Sequence, residues 1–218
     1  MTIIDAAPDT SVRPSRRLRT WAAVLLPIGP LLTVVEAAIP HGPTDVVGRG
    51  WSILAGLVST PFLFATVAIA AAVSWRSSRR MAGIAFVALT VQLFGLAALH
   101  GIEAFQLAAT IDGISQADLD HVMDGLLSIP PGPVFLVMFM GGLLVGSFAL
   151  SWAQFRTRSI TPAVPILMVV TSVSDLVIPD GAPDVVTICS LGLFTVWSVV
   201  LAVSVHRGGG FAKGLPTA

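Results

Sequence analysis

Three carboxylic acids interrupt stretches of the chain that are otherwise apolar. Glu36 stands four residues before Pro40, Asp175 four before Pro179, and Glu103 lies deep in another stretch beside His100 and Gln106. An ionisable side chain at membrane depth costs about 2.5 to 3.5 kcal/mol on insertion scales, and such groups face a bundle interior or a wet cavity. Close carboxyl groups in a poorly hydrated space cannot all ionise, so at least one keeps its proton near neutral pH and can give it up. Glu36 and Asp175 are therefore the candidate proton donor and its partner, with Glu103 and His100 in support. Gln92, Trp51, Thr33 and Thr171 are expected around the bound substrate. The competing description is a structural polar network, in which Glu103, His100 and the hydroxyls of Thr33, Thr171 and Ser172 satisfy one another across helices.

The elements that must position these groups are membrane helices. Of 218 residues, 55% are hydrophobic and 11% charged, and the mean hydropathy is +0.88. A soluble domain of this size cannot hide so much apolar surface. A helix that crosses the hydrocarbon core needs about 20 mainly apolar residues. Six such stretches run roughly over Trp21 to Ile39, Val46 to Trp75, Met81 to Ala109, Val134 to Trp152, Pro162 to Ile178 and Val185 to Val205. Alternating strand patterns are absent, which argues against a barrel. The fold expected is an all-α, polytopic six-helix bundle over residues 21–206, with tails at 1–20 and 207–218. Within the third span, at about 100° per residue, Gln92, Glu103 and Gln106 fall within about 60° of one another, with His100 one turn from Glu103 on the adjacent face.

Charge sets the expected orientation. Arginines 13, 16, 17 and 19 precede the first span, Arg76, Arg79 and Arg80 separate the second from the third, Arg156 and Arg158 follow the fourth, and Arg207 and Lys213 follow the sixth. By the positive-inside rule these ends, both termini included, are cytoplasmic and the protein is a multi-pass protein of the inner (plasma) membrane. Only Arg49 falls outside, whereas His41, His100, His121 and every acid except Asp5 and Asp9 fall in outer loops or outer helix halves. The arginine-rich start lacks a small-residue cleavage site after a short apolar core, so it reads as a tail and not a signal peptide. Ser115-Gln-Ala-Asp118 resembles a capping box, and Leu119, Val122, Met123, Leu126 and Leu127 then recur at helical spacing. Residues of about 115–128 are thus expected as a short interfacial helix between spans three and four.

The chain also resembles itself. At an offset of 139 residues, Glu36-Ala-Ala-Ile-Pro-His-Gly-Pro-Thr-Asp-Val-Val47 lies over Asp175-Leu-Val-Ile-Pro-Asp-Gly-Ala-Pro-Asp-Val-Val186, identical at six of twelve positions. Spans one and two and spans five and six are then expected as parallel copies of one helix pair. Proline ends a helix, glycine permits the turn, and Asp45 or Asp184 caps the helix that follows. Glu36 and Asp175 have no such structural duty.

Several chemistries are excluded or left without support. A retinal Schiff base needs a lysine within a span, and the one lysine is Lys213 in the tail. The single cysteine, Cys189, permits neither an intramolecular disulfide nor a thiolate metal site. No glycine-rich nucleotide loop or nucleophile elbow is present, and no histidine or acid pair has a diagnostic metal spacing. A divalent metal on His100, Glu103, Glu36 and Asp175 is chemically sensible, but without such a spacing no metal and no cofactor are assigned. The expected partners are the lipid bilayer and a lipophilic small molecule, not nucleic acid.

A glutamate just before a helix-ending proline, with a second acid late in a short polytopic chain, resembles the integral-membrane terpene cyclases. In that family such a carboxylate pair protonates an alkene or epoxide and starts cyclisation. The resemblance implies Glu36 as the early acid and Asp175 as the late one, acting on an isoprenoid-type substrate. The chain also resembles small actinobacterial six-span membrane proteins, a likeness that implies no activity. Three functions stay open: an acid-initiated membrane enzyme, a proton-coupled carrier or sensor that uses the same acids as a relay, and a non-catalytic structural subunit.

Overall fold

The computed structural model describes residues 15–40, 45–128, 132–157, 160–177 and 184–207, without the side chains of residues 116, 120, 126–128, 175, 176 and 184. The described chain is helical throughout: α1 (Arg16–Ala38), α2 (Val46–Ser74), α3 (Arg79–Ile111), α4 (Gln116–Ser128), α5 (Gly132–Phe155), α6 (Ala163–Val177) and α7 (Asp184–His206). Five of them, α1, α2, α3, α5 and α7, are long and apolar enough to cross a membrane. The expected fifth span is α6, whose 15 described residues give about 22 Å at 1.5 Å per residue, short of the ~30 Å hydrocarbon core. The loops of the internal repeat, His41 among them, and residues 1–14 and 208–218 of the two tails lie outside the described residues.

Helix starts follow local capping chemistry. Asp45 Oδ1 accepts from the Gly48 amide at 2.9 Å and opens α2, as its place before two valines suggests. Ser15 caps α1 by accepting from Leu18 N at 3.2 Å, so this helix begins five residues before the apolar run and carries Arg16, Arg17 and Arg19 in its first turn. Ahead of α4, Ser115 Oγ accepts from the Asp118 amide at 3.2 Å and donates to Asp118 Oδ2 at 2.5 Å. This is the anticipated cap, with the acid bonded to the serine hydroxyl and not to its backbone amide.

The helices other than α4 form a closed ring in the order α1, α2, α3, α5, α6, α7, with α7 packed back against α1. α4 lies outside the ring against α3 and α5. Glycines allow the walls to approach closely. A Cβ on Gly29 would stand 2.6 Å from Leu63 N of α2, and one on Gly142 would stand 2.5 Å from the Ala88 carbonyl oxygen of α3. With lipid on the outside, such close van der Waals packing replaces the hydrophobic effect as the force between helices.

Pro30 lies inside α1 and cannot donate to the carbonyl of Leu26, one turn earlier. Thr66 of α2 supplies the missing donor: its buried Oγ1 is 2.9 Å from Leu26 O and 3.0 Å from Phe62 O of its own helix, and shares its proton between the two carbonyls. The proline thus costs α1 no unsatisfied acceptor at this turn, and the bond ties α1 to α2 nearly three turns below Glu36. At the arginine-bearing end, Ser77 Oγ and Thr157 Oγ1 lie 2.5 Å apart and join the α2–α3 turn to the end of α5. At the opposite end, Ser174 Oγ and Ser190 Oγ, 2.9 Å apart, join α6 to α7.

Candidate functional site

Inside the ring is a cavity of about 310 Å³ whose wall takes side chains from all six ring helices. That volume is at the lower end of small-molecule sites. Its apolar wall is built from Leu63, Val67, Leu89, Leu93, Leu143, Leu150 and Met168, with Phe139, Phe194 and Trp197 on the α5 and α7 sides. Phe194 and Trp197 are stacked, with centroids 5.2 Å apart and planes 8° from parallel. The polar part comprises Thr33 and Glu36 of α1, Ser52 of α2, Gln92 of α3, Thr171 and Ser172 of α6 and Thr187 of α7. Within the cavity wall Glu36 is the only ionisable side chain among the described residues.

Glu36 has a partner on α3, the next helix but one in the ring. Its Oε1 is 3.6 Å from His100 Nε2, and His100 Nδ1 is 3.3 Å from Glu103 Oε2. Exposure rises outward from this histidine: its side chain is 6% accessible, that of Glu36 19% and that of Glu103 53%. The first distance exceeds hydrogen-bond reach, so His100 Nε2 is a buried nitrogen without a hydrogen bond, while Nδ1 is held by Glu103. Gly56 of α2 makes this meeting possible, because a Cβ there would stand 2.5 Å from His100 Cε1 and 2.7 Å from Glu36 Oε1. Three helices thus converge at one point, with glycine as the contribution of the middle one.

The side chains singled out in the sequence have separate fates. Thr33, Glu36, Gln92 and Thr171 line the cavity. His100 is buried against Glu36, and Glu103 lies one turn beyond it at the rim, bonded to the imidazole. Trp51 is 61% exposed and stands outside the cavity wall, a difference that arises because its neighbour Ser52 takes the inward position on α2. Asp175 belongs to the last turn of α6, one turn beyond Thr171, and its side chain lies outside the described atoms. Among the described residues no three histidine, cysteine, aspartate or glutamate side chains are grouped to hold a metal ion.

The sequence did not single out Ser52, Phe139, Phe194, Trp197 or Gly56. For α3 a signal existed: Leu89, Gln92, Leu93, Leu96 and His100 recur every three or four residues and form one inward stripe. For Gly56 there was none, since its role depends on what two other helices bring to it.

No known family model matches the chain, and neither a curated protein nor a solved structure does.

Proposed function

We propose that the protein is an integral membrane enzyme that admits a lipophilic, isoprenoid-type molecule to the ring cavity and starts its reaction by donating a proton from Glu36. One observation carries this reading: among the described residues a single ionisable side chain, Glu36, faces a cavity otherwise walled by aliphatic, aromatic, hydroxyl and amide groups. In such a step the carboxyl O–H bond breaks and a C–H bond forms at an alkene carbon, or an O–H bond at an epoxide oxygen. A second double bond of the same molecule attacks the resulting cation, and proton loss to a carboxylate ends the sequence. The aromatic rings of Phe139, Phe194 and Trp197 belong to the wall and would attract such a cation without capturing it. Asp175, on the α6 face that carries Thr171 and Ser172 into the cavity wall, is the proposed partner acid. Likeness to the membrane terpene cyclases agrees with this chemistry and with the placing of the early acid.

The same reading takes α6 with the residues that follow it as a sixth span, both termini as cytoplasmic and the membrane as the plasma membrane, supported by the arginines at one end of the helices. Two pairs of positions 139 residues apart, Thr33 with Ser172 and Ser52 with Leu191, all line the cavity, as expected if α1–α2 and α6–α7 are copies. A second reading, a proton-coupled carrier or sensor, is favoured by the file from half-exposed Glu103 through His100 to Glu36.

An apolar carbodiimide reaches buried carboxyl groups through the bilayer and adds across the protonated acid, its nitrogen taking the proton and its carbon the carboxylate oxygen. Peptide mass spectrometry should find the adduct on Glu36, and lipophilic material that co-purifies with the protein should protect against it. Glu36→Gln should remove both the adduct and turnover of that material while leaving the protein folded. Unchanged turnover by Glu36→Gln would refute the enzyme; a pH-driven proton flux in vesicles that Glu36→Gln abolishes, without turnover, would establish the carrier.

A further inference from the structure

Hydroxyl side chains in these helices mostly satisfy themselves by donating to a carbonyl one turn back, as Ser74 does to Ala70, Thr171 to Leu167 and Ser172 to Met168. Thr90 of α3 and two serines of α5 depart from this habit. Ser147 Oγ and Ser151 Oγ are buried without a hydrogen-bond partner, and so is Nε2 of Gln154 on the same helix. The three positions follow the spacing i, i+4, i+7, which places them within about 60° of one another on the helix surface. None can be reaching lipid, because Ser147 and Gln154 are at most 1% exposed and Ser151 is 6% exposed.

The stripe runs beside the cavity. Leu143 and Leu150 of the same helix, one turn either side of Ser147, line the cavity, and at the lower end of the stripe Gln154 Oε1 accepts from Trp197 Nε1 at 3.4 Å, Trp197 being part of the cavity wall. Towards the arginine-bearing end, one turn past Gln154, Thr157 meets Ser77 of the α2–α3 turn. Buried donors and acceptors in native proteins find partners, ordered water included. Water is held where a space offers two to four polar groups. Here three unpaired atoms, Ser147 Oγ, Ser151 Oγ and Gln154 Nε2, come in a line, and no described residue bonds to them.

We infer that the Ser147–Ser151–Gln154 face of α5 is a hydrated track that joins the central cavity to the arginine-bearing surface and carries water, and with it protons, between them. The cavity is then reached from two sides by different means: a glutamate–histidine pair at the rim near Glu36, and a file of neutral hydroxyl and amide groups at the far end. Neutral groups relay or solvate a proton without fixing one. The track does not depend on the chemistry of Glu36, so the carbodiimide result and the result below can fail separately.

Cysteine accessibility tests it. In a background with the exposed native thiol removed by Cys189→Ser, Ser147→Cys and Ser151→Cys each change one atom, and Ala149→Cys supplies a buried comparator on the same helix. A small cationic methanethiosulfonate reacts only with a thiolate, which forms only where water reaches the sulfur. Ser151→Cys should react at least about tenfold faster than Ala149→Cys, with Ser147→Cys intermediate, when the reagent is applied from the arginine-bearing side of oriented vesicles. Equal rates for all three, or reaction from the opposite side alone, would overturn the proposal. Should the cysteine variants fold poorly, Ser147→Ala/Ser151→Ala decides: a dry stripe is relieved of two unpaired hydroxyls and the protein gains stability, whereas a hydrated one gives no gain.

Discussion

Replacing Gly56 by alanine puts a methyl carbon 2.5 Å from Cε1 and 2.6 Å from Nε2 of His100, and 2.7 Å from Oε1 of Glu36. Ordinary contact begins at 3.4 Å, so the imidazole must retreat by 3.4 − 2.5 = 0.9 Å. It has little room to do so, because its side chain is 6% accessible and its Nδ1 is already 3.3 Å from Glu103. Overpacking of this kind costs about 1–3 kcal/mol. Alanine also gains about 0.5–1 kcal/mol over glycine in a helix, and Gly101→Ala isolates that gain, since a Cβ there meets nothing within 4 Å. In a detergent-micelle unfolding titration Gly56→Ala should therefore fall below Gly101→Ala by about 1–3 kcal/mol. Adding His100→Ala should return most of the loss, because the two changes share one contact and are not additive. Carbodiimide labelling of Glu36 should change in Gly56→Ala and not in Gly101→Ala. Equal stability of the two glycine variants, with equal labelling, would show that Glu36 and His100 do not meet over Gly56.

Two further substitutions probe the ring that carries the site. Thr66→Val should cost about 1–3 kcal/mol, because the Leu26 carbonyl, already without a donor from Pro30, loses the Thr66 hydroxyl as well; Thr60→Val, whose hydroxyl only returns to Gly56 O in its own helix, should cost less in the same titration. Gly142→Ala forces a Cβ to within 2.5 Å of Ala88 O and 2.7 Å of Gln92 N, backbone atoms of α3 that cannot rotate away, so folded yield should fall well below that of Gly141→Ala, where the added atom meets nothing within 4 Å.

Apolar runs of the length of a bilayer made the long helices legible, and their ends came within a few residues wherever a cap such as Asp45 or Ser115 was present. The helix α1 starts five residues before its apolar run, because Ser15 caps it among the arginines, a start that hydropathy does not mark. Glu36 was legible because an acid inside an apolar stretch has a cost that demands a reason. The order of His100 and Glu103 was not legible. Both are polar and one turn apart, and only the packing of α1 and α2 decides that the imidazole is enclosed while the carboxylate stays at the rim. Trp51 and Ser52 present the same difficulty, since adjacent residues on a helix point about 100° apart and the inward direction depends on neighbours. Ser147, Ser151 and Gln154 escaped notice for another reason: serine and glutamine in a span are unremarkable until their hydrogen bonds are accounted for.

The contact between α1 and α7 has a consequence for synthesis. A chain that has emerged only as far as α6 holds five walls of the six, and Glu36 then stands beside an open slot filled by acyl chains. Arrival of the last helix supplies Thr187, Leu191, Phe194 and Trp197 and completes the cavity wall, so the guest proposed for this cavity has no complete site in any shorter nascent chain. Truncations that remove α7 should therefore lose guest binding altogether, even where the hairpin of α1 and α2 forms undisturbed.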